Sequence, residues 1–165
     1  MDSILAGALI GGSFAIAGSI VTAVATFRIN KANDKIKLIT SKKEELYTAC
    51  ERLKSNIFKN YHFVSNAIHG VTTTGNEGIK DNLHSSAHVK LLVALYFQEL
   101  KDDLAKIETC KDSFGTYYLH VLDIPMNMRT VQNISKQFVL EAREKYLETV
   151  EAIQALQDKL TTSQD

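Results

Sequence analysis

His84 and His88 stand four residues apart, the spacing that puts two imidazoles on one helix face as a pair of metal ligands would need. Zinc requires a third or fourth ligand, and Asp81 is the nearest local candidate. Two polar residues on a solvated surface near a loop are the simpler expectation, so no metal site is assigned. Cys50 and Cys110 fall on or beside apolar stripes, which suits small core residues better than nucleophiles. The chain has no phosphate-binding glycine loop, no G-x-S-x-G and no H-E-x-x-H. Glu141, Glu144 and Glu148 alternate with Arg143 and Lys145, the pattern of a solvated helix surface. The expectation is therefore no catalytic residue, no cofactor and no enzyme activity.

Two groups of residues suit binding rather than catalysis. Arg28, Lys31, Lys35, Lys37, Lys42 and Lys43 form a basic neck. Such a neck attracts anionic lipid or an anionic ligand. Lys54, Lys59, Tyr61, His62 and Phe63 interleave charge with rings, a combination that can grip phosphate and stack bases. Aromatic residues on helices are mostly core, so this second group is the weaker of the two.

The elements that carry these groups follow from the distribution of charge and apolarity. The 165 residues carry 19 basic and 19 acidic side chains, a net charge of zero that argues against a general nucleic-acid binder. Residues 1–27 hold one charge, Asp2, whereas residues 28–60 hold nine positive and four negative charges. The remainder is mildly acidic. One proline and no tryptophan disfavour a loop-rich chain, and two cysteines exclude a disulfide framework.

From Ile4 to Phe27 no side chain is ionisable, a run of 24 residues. As a helix this is about 36 Å, enough for a hydrocarbon core of about 30 Å. A cleaved signal peptide would have positive charge ahead of a shorter apolar core, and Met1-Asp2-Ser3 has none. A transmembrane helix is expected, with a buried soluble helix as the alternative. The six basic residues after the span put the N-terminus outside and the rest of the chain in the cytoplasm, in a single-pass topology. Ten Ile, Leu, Val or Phe side chains contribute roughly −3 to −6 kcal/mol to insertion before position effects and the Gly, Ser and Thr penalties. That modest value also suits a helix that can hide inside a soluble bundle.

Large and small residues sort onto opposite halves of this helix. Gly7, Gly11, Ala15, Gly18, Ser19, Thr22 and Thr26 lie on the small half. Glycine lowers helix propensity by about 1 kcal/mol relative to alanine, so four glycines here need a reason. Close approach of a neighbouring helix is one, with hydroxyls bonding across. A weakly polar pore lined by Ser19, Thr22 and Thr26 is the other. With one span per chain, the neighbour comes from another copy or another protein.

Beyond the span, Ile29, Ala32, Ile36, Ile39, Leu46, Cys50, Leu53, Ile57, Val64 and Ala67 repeat at three- and four-residue spacing, interrupted by Lys43 and Asn60. Residues 4–69 are one rod or two helices jointed near Thr40-Ser41, where Ser41 to Glu44 matches a capping box. Gly70 ends the pattern, and 71–78 reads as a loop. A second helical stretch runs from about Ile79 or Ser86 to Val121, with Gly115 as a candidate kink. A third begins near Pro125 and ends about Leu160. The expected fold is all-α: a glycine-rich transmembrane or sequestered helix over 4–27, an antiparallel helical bundle over 28–160, and a tail over 161–165.

An uncharged glycine-rich span from Ile4 to Phe27, a Lys-rich neck and a small helical body together resemble compact membrane effectors of bacterial anti-phage systems, those of the Hailong type in particular. The resemblance covers the whole chain as architecture. It implies a homo-oligomer, a tetramer, at the bacterial inner membrane, held inactive with its apolar helices sequestered by the body. It further implies release by a nucleotide or short oligonucleotide signal from a partner nucleotidyltransferase, channel opening, depolarisation and growth arrest or abortive infection. Two other classes stay open: a constitutive membrane-anchored scaffold or adaptor, and a holin-like phage protein.

Overall fold

In a computed structural model, the structure describes the backbone of residues 2–68, 77–125, 129 and 134–162. Within these, the side chains of residues 2–18, 20, 21, 68 and 77–83 lie outside the description. The described residues form helix α1 (Asp2–Ile68), α2 (Glu77–Tyr96), a 3-10 turn (Gln98–Leu100), α3 (Lys101–Asp123) and α4 (Lys136–Thr162), with no strand among them. By packing, the chain divides within α1 into two units, Met1–Ser41 and Lys42–Asp165.

The joint considered near Thr40-Ser41 is absent from the backbone: Ser41 is helical and caps nothing as a helix start. Nothing in the residues around it breaks a helix. Thr48 even returns its hydroxyl to the Glu44 carbonyl at 2.9 Å, as a residue inside a helix does.

The second unit is a four-helix bundle. Its order can be read from pairs of contacts. Along α1 and α4, Tyr61 meets Tyr146, Lys54 meets Gln154 and Glu51 meets Gln157, so the two helices run antiparallel. Asn56 with Ser85 and Glu45 with His88 give the same relation for α1 and α2. Lys90 with Glu108 and Ser86 with Lys111 give it for α2 and α3. Asp103 with Lys159, Phe114 with Tyr146 and Tyr117 with Phe138 give it for α3 and α4. Phe63 and Tyr118 meet edge to face across the diagonal, 5.3 Å apart.

The stripe read from the sequence is the core face of α1. Leu46, Cys50, Leu53, Ile57, Asn60, Val64 and Ala67 are all buried, and so are Ala49, Asn56 and Phe63 beside them. Each fully buried aliphatic side chain contributes about 1.5–3 kcal/mol. Phe63, Val64, Ala67, Tyr118, Val121, Ile134 and Ala142 close one end of the bundle.

Three expectations are corrected. The second stretch, expected to reach Val121 with Gly115 as its candidate kink, is interrupted instead at Phe97, whose backbone (φ −135°, ψ 57°) leaves the helix. Neither Gly nor Pro marks this break. Its buried ring (2% exposed) takes over as core while the chain turns, and Asp102 and Asp103 suit the positive N-terminal end of the helix that follows. Gly115 does not end α3, which runs through to Asp123. Finally, α4 starts at Lys136, not near Pro125: Ser135 accepts the Phe138 N–H at 3.1 Å as the N-cap. Arg129 meanwhile donates to the Leu122 and Ile124 carbonyls at 3.1 and 2.8 Å, satisfying the end of α3. Gly70 and most of the 71–78 loop fall outside the described residues, as does the end of the tail.

Burial pushes the Cys50 thiol up to about 12 from an ordinary 9.0. Cys110 is only half-buried. The native chain should therefore react with a disulfide reagent at one thiol at pH 8, and at both only in denaturant. Because the folded thiol resists ionisation, this contribution to stability is complete below the unfolded thiol's pKa and is lost as pH rises toward 12. Rapid reaction of two thiols without denaturant would contradict the buried placement.

Candidate functional site

The first unit carries the residues singled out as a helix-packing or pore face. Gly7, Gly11, Ala15 and Gly18 sit on the helical backbone of α1, and their surroundings lie outside the described residues. Ser19, Thr22 and Thr26 are exposed on the same helix. No helix among the described residues is long and apolar enough to cross a membrane.

The basic neck divides into two chemically different parts. Arg28, Lys31, Lys35 and Lys37 are exposed on α1 in the first unit. Lys42 and Lys43 are half-buried in the second. Lys42 donates to Glu45 at 2.6 Å and its ammonium stands 5.6 Å from the centre of the Tyr96 ring. The hydrogen bond to Glu45 raises the Lys42 pKa, and the bonds from Lys42 and His88 lower that of Glu45. Lys42 is thus committed to a small polar cluster joining α1 to α2. The spacing of Lys42 and Glu45, one helical turn apart, was the available sign of this pairing.

Val24, Phe27, Ile29, Ile36 and Leu38 are exposed in the first unit, with Phe27 at 68% and Ile36 at 64%. Phe27 closes the uncharged run, and Ile29 to Ile39 continue the helix among charged neighbours.

The other groups are dispersed. Glu45 accepts His88 Nε2 at 2.9 Å, so this imidazole is engaged across the helix pair, while His84 is exposed. The Asp81 side chain lies outside the described residues. No group of three or more metal-ligating side chains gathers among the described residues. Of the aromatic-basic group, Tyr61 stacks on Tyr146 at 4.5 Å with the rings 12° apart, and Phe63 is core. Lys54 pairs with Glu51 at 2.6 Å and donates to Gln154. Of that group Lys59 and His62 are exposed, and the ring of the neighbouring exposed Phe58 stands 6.1 Å from that of His62.

One feature of the core had no sign in the sequence. Gln157 is fully buried and donates to Glu51 at 2.8 Å and to the Tyr47 carbonyl at 3.3 Å. Its own Oε1 accepts no hydrogen bond among the described residues. A polar residue inside an apolar stripe cannot be told from a surface one until the neighbouring helix is in place.

No protein-family model, curated protein or solved structure matches this chain.

Proposed function

We propose that the chain is an oligomeric membrane effector that, once activated, forms or opens a pore and depolarises the bacterial inner membrane, in anti-phage defence by growth arrest. The observation that carries this reading is the composition of one continuous helix. Over Ile4–Phe27 α1 has no ionisable side chain, and Arg28, Lys31, Lys35 and Lys37 follow at once, all exposed. A helix without charge on any side finds its solvent in a bilayer or a protein interior. Basic residues after the run hold its C-terminal end at the cytoplasmic, anionic surface. In this reading Ile4–Phe27 spans the membrane with the N-terminus outside, the small residues from Gly7 to Thr26 face neighbouring copies, and the bundle remains cytoplasmic. The copy number is four. Before activation the apolar helices are sequestered, and the activator is a nucleotide or oligonucleotide signal made by a partner nucleotidyltransferase.

Protease added outside intact spheroplasts should leave Lys42–Asp165 undigested, and protease added to lysed membranes should release it. Digestion of the bundle from outside would reverse the topology.

A second reading, a constitutive membrane-anchored adaptor, is favoured by one observation. On the outer face of α2, Leu91 and Leu95 are exposed, with Ala87 and Ala94 exposed beside them. A partner helix would cover such a stripe. An adaptor should not arrest growth on overexpression, whereas the effector should when its signal is present.

A further inference from the structure

The apolar pattern of α1 changes width, and the change says what covers each part. Set Ile29 as position a of a heptad. Ala32, Ile36 and Ile39 then fall at d, a and d, and Leu46, Cys50, Leu53, Ile57, Asn60, Val64 and Ala67 continue the same register without a shift. In the second unit the buried positions are a, d and also g, because Ala49, Asn56 and Phe63 are buried with them. A three-position stripe is the face of a helix packed in a bundle. Between Arg28 and Ser41 the g positions are Arg28 and Lys35, both exposed, so the apolar stripe there narrows to a and d. A two-position stripe is the seam of a coiled coil. Leu38 is the single large apolar residue off that seam between Arg28 and Ser41.

Ile29 and Ile36 are 59% and 64% exposed and Ala32 is exposed with them, while Ile39 is half-buried, so the first three seam positions are uncovered among the described residues. The seam's charges decide the direction in which a second copy can lie. The e positions, Asn33 and Thr40, are neutral, and the g positions flanking the seam, Arg28 and Lys35, are cationic. In a parallel pair g faces e of the next heptad of the partner, which puts Arg28 opposite Asn33 and Lys35 opposite Thr40. In an antiparallel pair centred on this seam g faces g, which puts Lys35 against Lys35, cation against cation.

We infer that residues 29–39 of α1 form a parallel, in-register coiled coil with a second copy of this chain, seated through Ile29, Ala32, Ile36 and Ile39. The inference shares with the effector reading only the homo-oligomer, and it adds the surface and the direction. A parallel seam brings the uncharged runs of all copies to the same side, ahead of the first cation.

The experiment uses the full chain in mild detergent with Cys110→Ser, leaving the buried Cys50. Single Ile29→Cys, Ile39→Cys and, on the opposite face, Asp34→Cys variants are oxidised with copper phenanthroline. Both seam variants should cross-link to their own copies, and Asp34→Cys should not. An antiparallel pair cannot bring both Ile29 and Ile39 to their own counterparts, so loss of both overturns the inference. A second measurement is independent of cysteine: the double variant Asn33→Glu/Thr40→Glu gives each g cation an acidic partner. It should lower the dissociation constant roughly tenfold at low salt, from several weak pairs acting together, with the gain fading in high salt. In an antiparallel seam the same variant places acid against acid and weakens association, which would also overturn it. A homo-oligomer that cross-links at neither seam position removes the seam while leaving the effector reading; a chain that stays monomeric removes both.

Discussion

Gly11→Leu should abolish membrane depolarisation while increasing the apolarity of the span. The substitution adds apolar area to an uncharged run, so insertion improves by a few tenths of a kcal/mol or more. A bulky side chain on the small half of the helix nevertheless keeps neighbouring backbones apart, and packing of small residues is what holds membrane helices together. Ile16→Leu, on the large half, conserves volume and should leave depolarisation near wild type. The measurement is a voltage-sensitive dye in cells expressing each variant at equal membrane levels, with the native activator present. Retained depolarisation in Gly11→Leu would mean that the glycines serve another contact, such as packing in the sequestered state. A wild-type chain that never depolarises the membrane would end the pore reading.

Gln157→Glu should destabilise the bundle strongly at neutral pH and weakly in acid. The new carboxyl would lie fully buried, 2.8 Å from where Glu51 now accepts the amide. Both burial and the neighbouring carboxylate oppose its ionisation, so its folded pKa rises. Stability is then intact below an ordinary glutamate's pKa of about 4.3 and is lost as pH rises. The loss is bounded by the cost of holding the group protonated, at about 1.36 kcal/mol per pH unit above that pKa. The bound is about 4 kcal/mol at pH 7.5 and about 1 kcal/mol at pH 5. Against a total stability of about 5–15 kcal/mol the first figure removes a large share. Urea unfolding midpoints of wild type and variant at the two pH values give the test. Gln157→Met is the control: it removes the amide and its unpaired oxygen together, and should cost about 1 kcal/mol or less at either pH. Equal destabilisation of Gln157→Glu at pH 5 and pH 7.5 would show that its effect is steric.

The helical class and the core face of α1 were legible because periodicity survives burial. Every apolar position from Leu46 to Ala67 that the spacing singled out is buried, and Asn60, counted as an interruption, is buried with them. Boundaries were less legible wherever tertiary packing decided them. The break at Phe97 has no local breaker and exists because a core ring and a turn are needed there. The start of α4 depends on Ser135, a residue type too common to single out before its hydroxyl is seen on the Phe138 N–H. Among the binding groups, the exposure of Arg28 to Lys37 follows from their own charges, so the sequence sufficed. The withdrawal of Lys42 into a pair with Glu45, and the stacking of Tyr61 on Tyr146, depend on partners brought from other turns and other helices.

The distance along the chain between α1 and its α4 partners has a consequence during synthesis. Lys54 meets Gln154 and Glu51 meets Gln157, pairs separated by 100 and 106 residues. At about 5–20 residues per second, a ribosome needs roughly 5–20 s to travel from one side of that contact to the other. Throughout that interval the α4 side of the bundle cannot close, yet the uncharged Ile4–Phe27 run has already been made. In the proposed effector reading, nascent-chain factors and the insertion machinery therefore meet the apolar run before a finished body exists to compete for it. On that reading, the choice between bilayer and protein interior is set first by the timing of translation, and only afterwards by the relative stability of the two states.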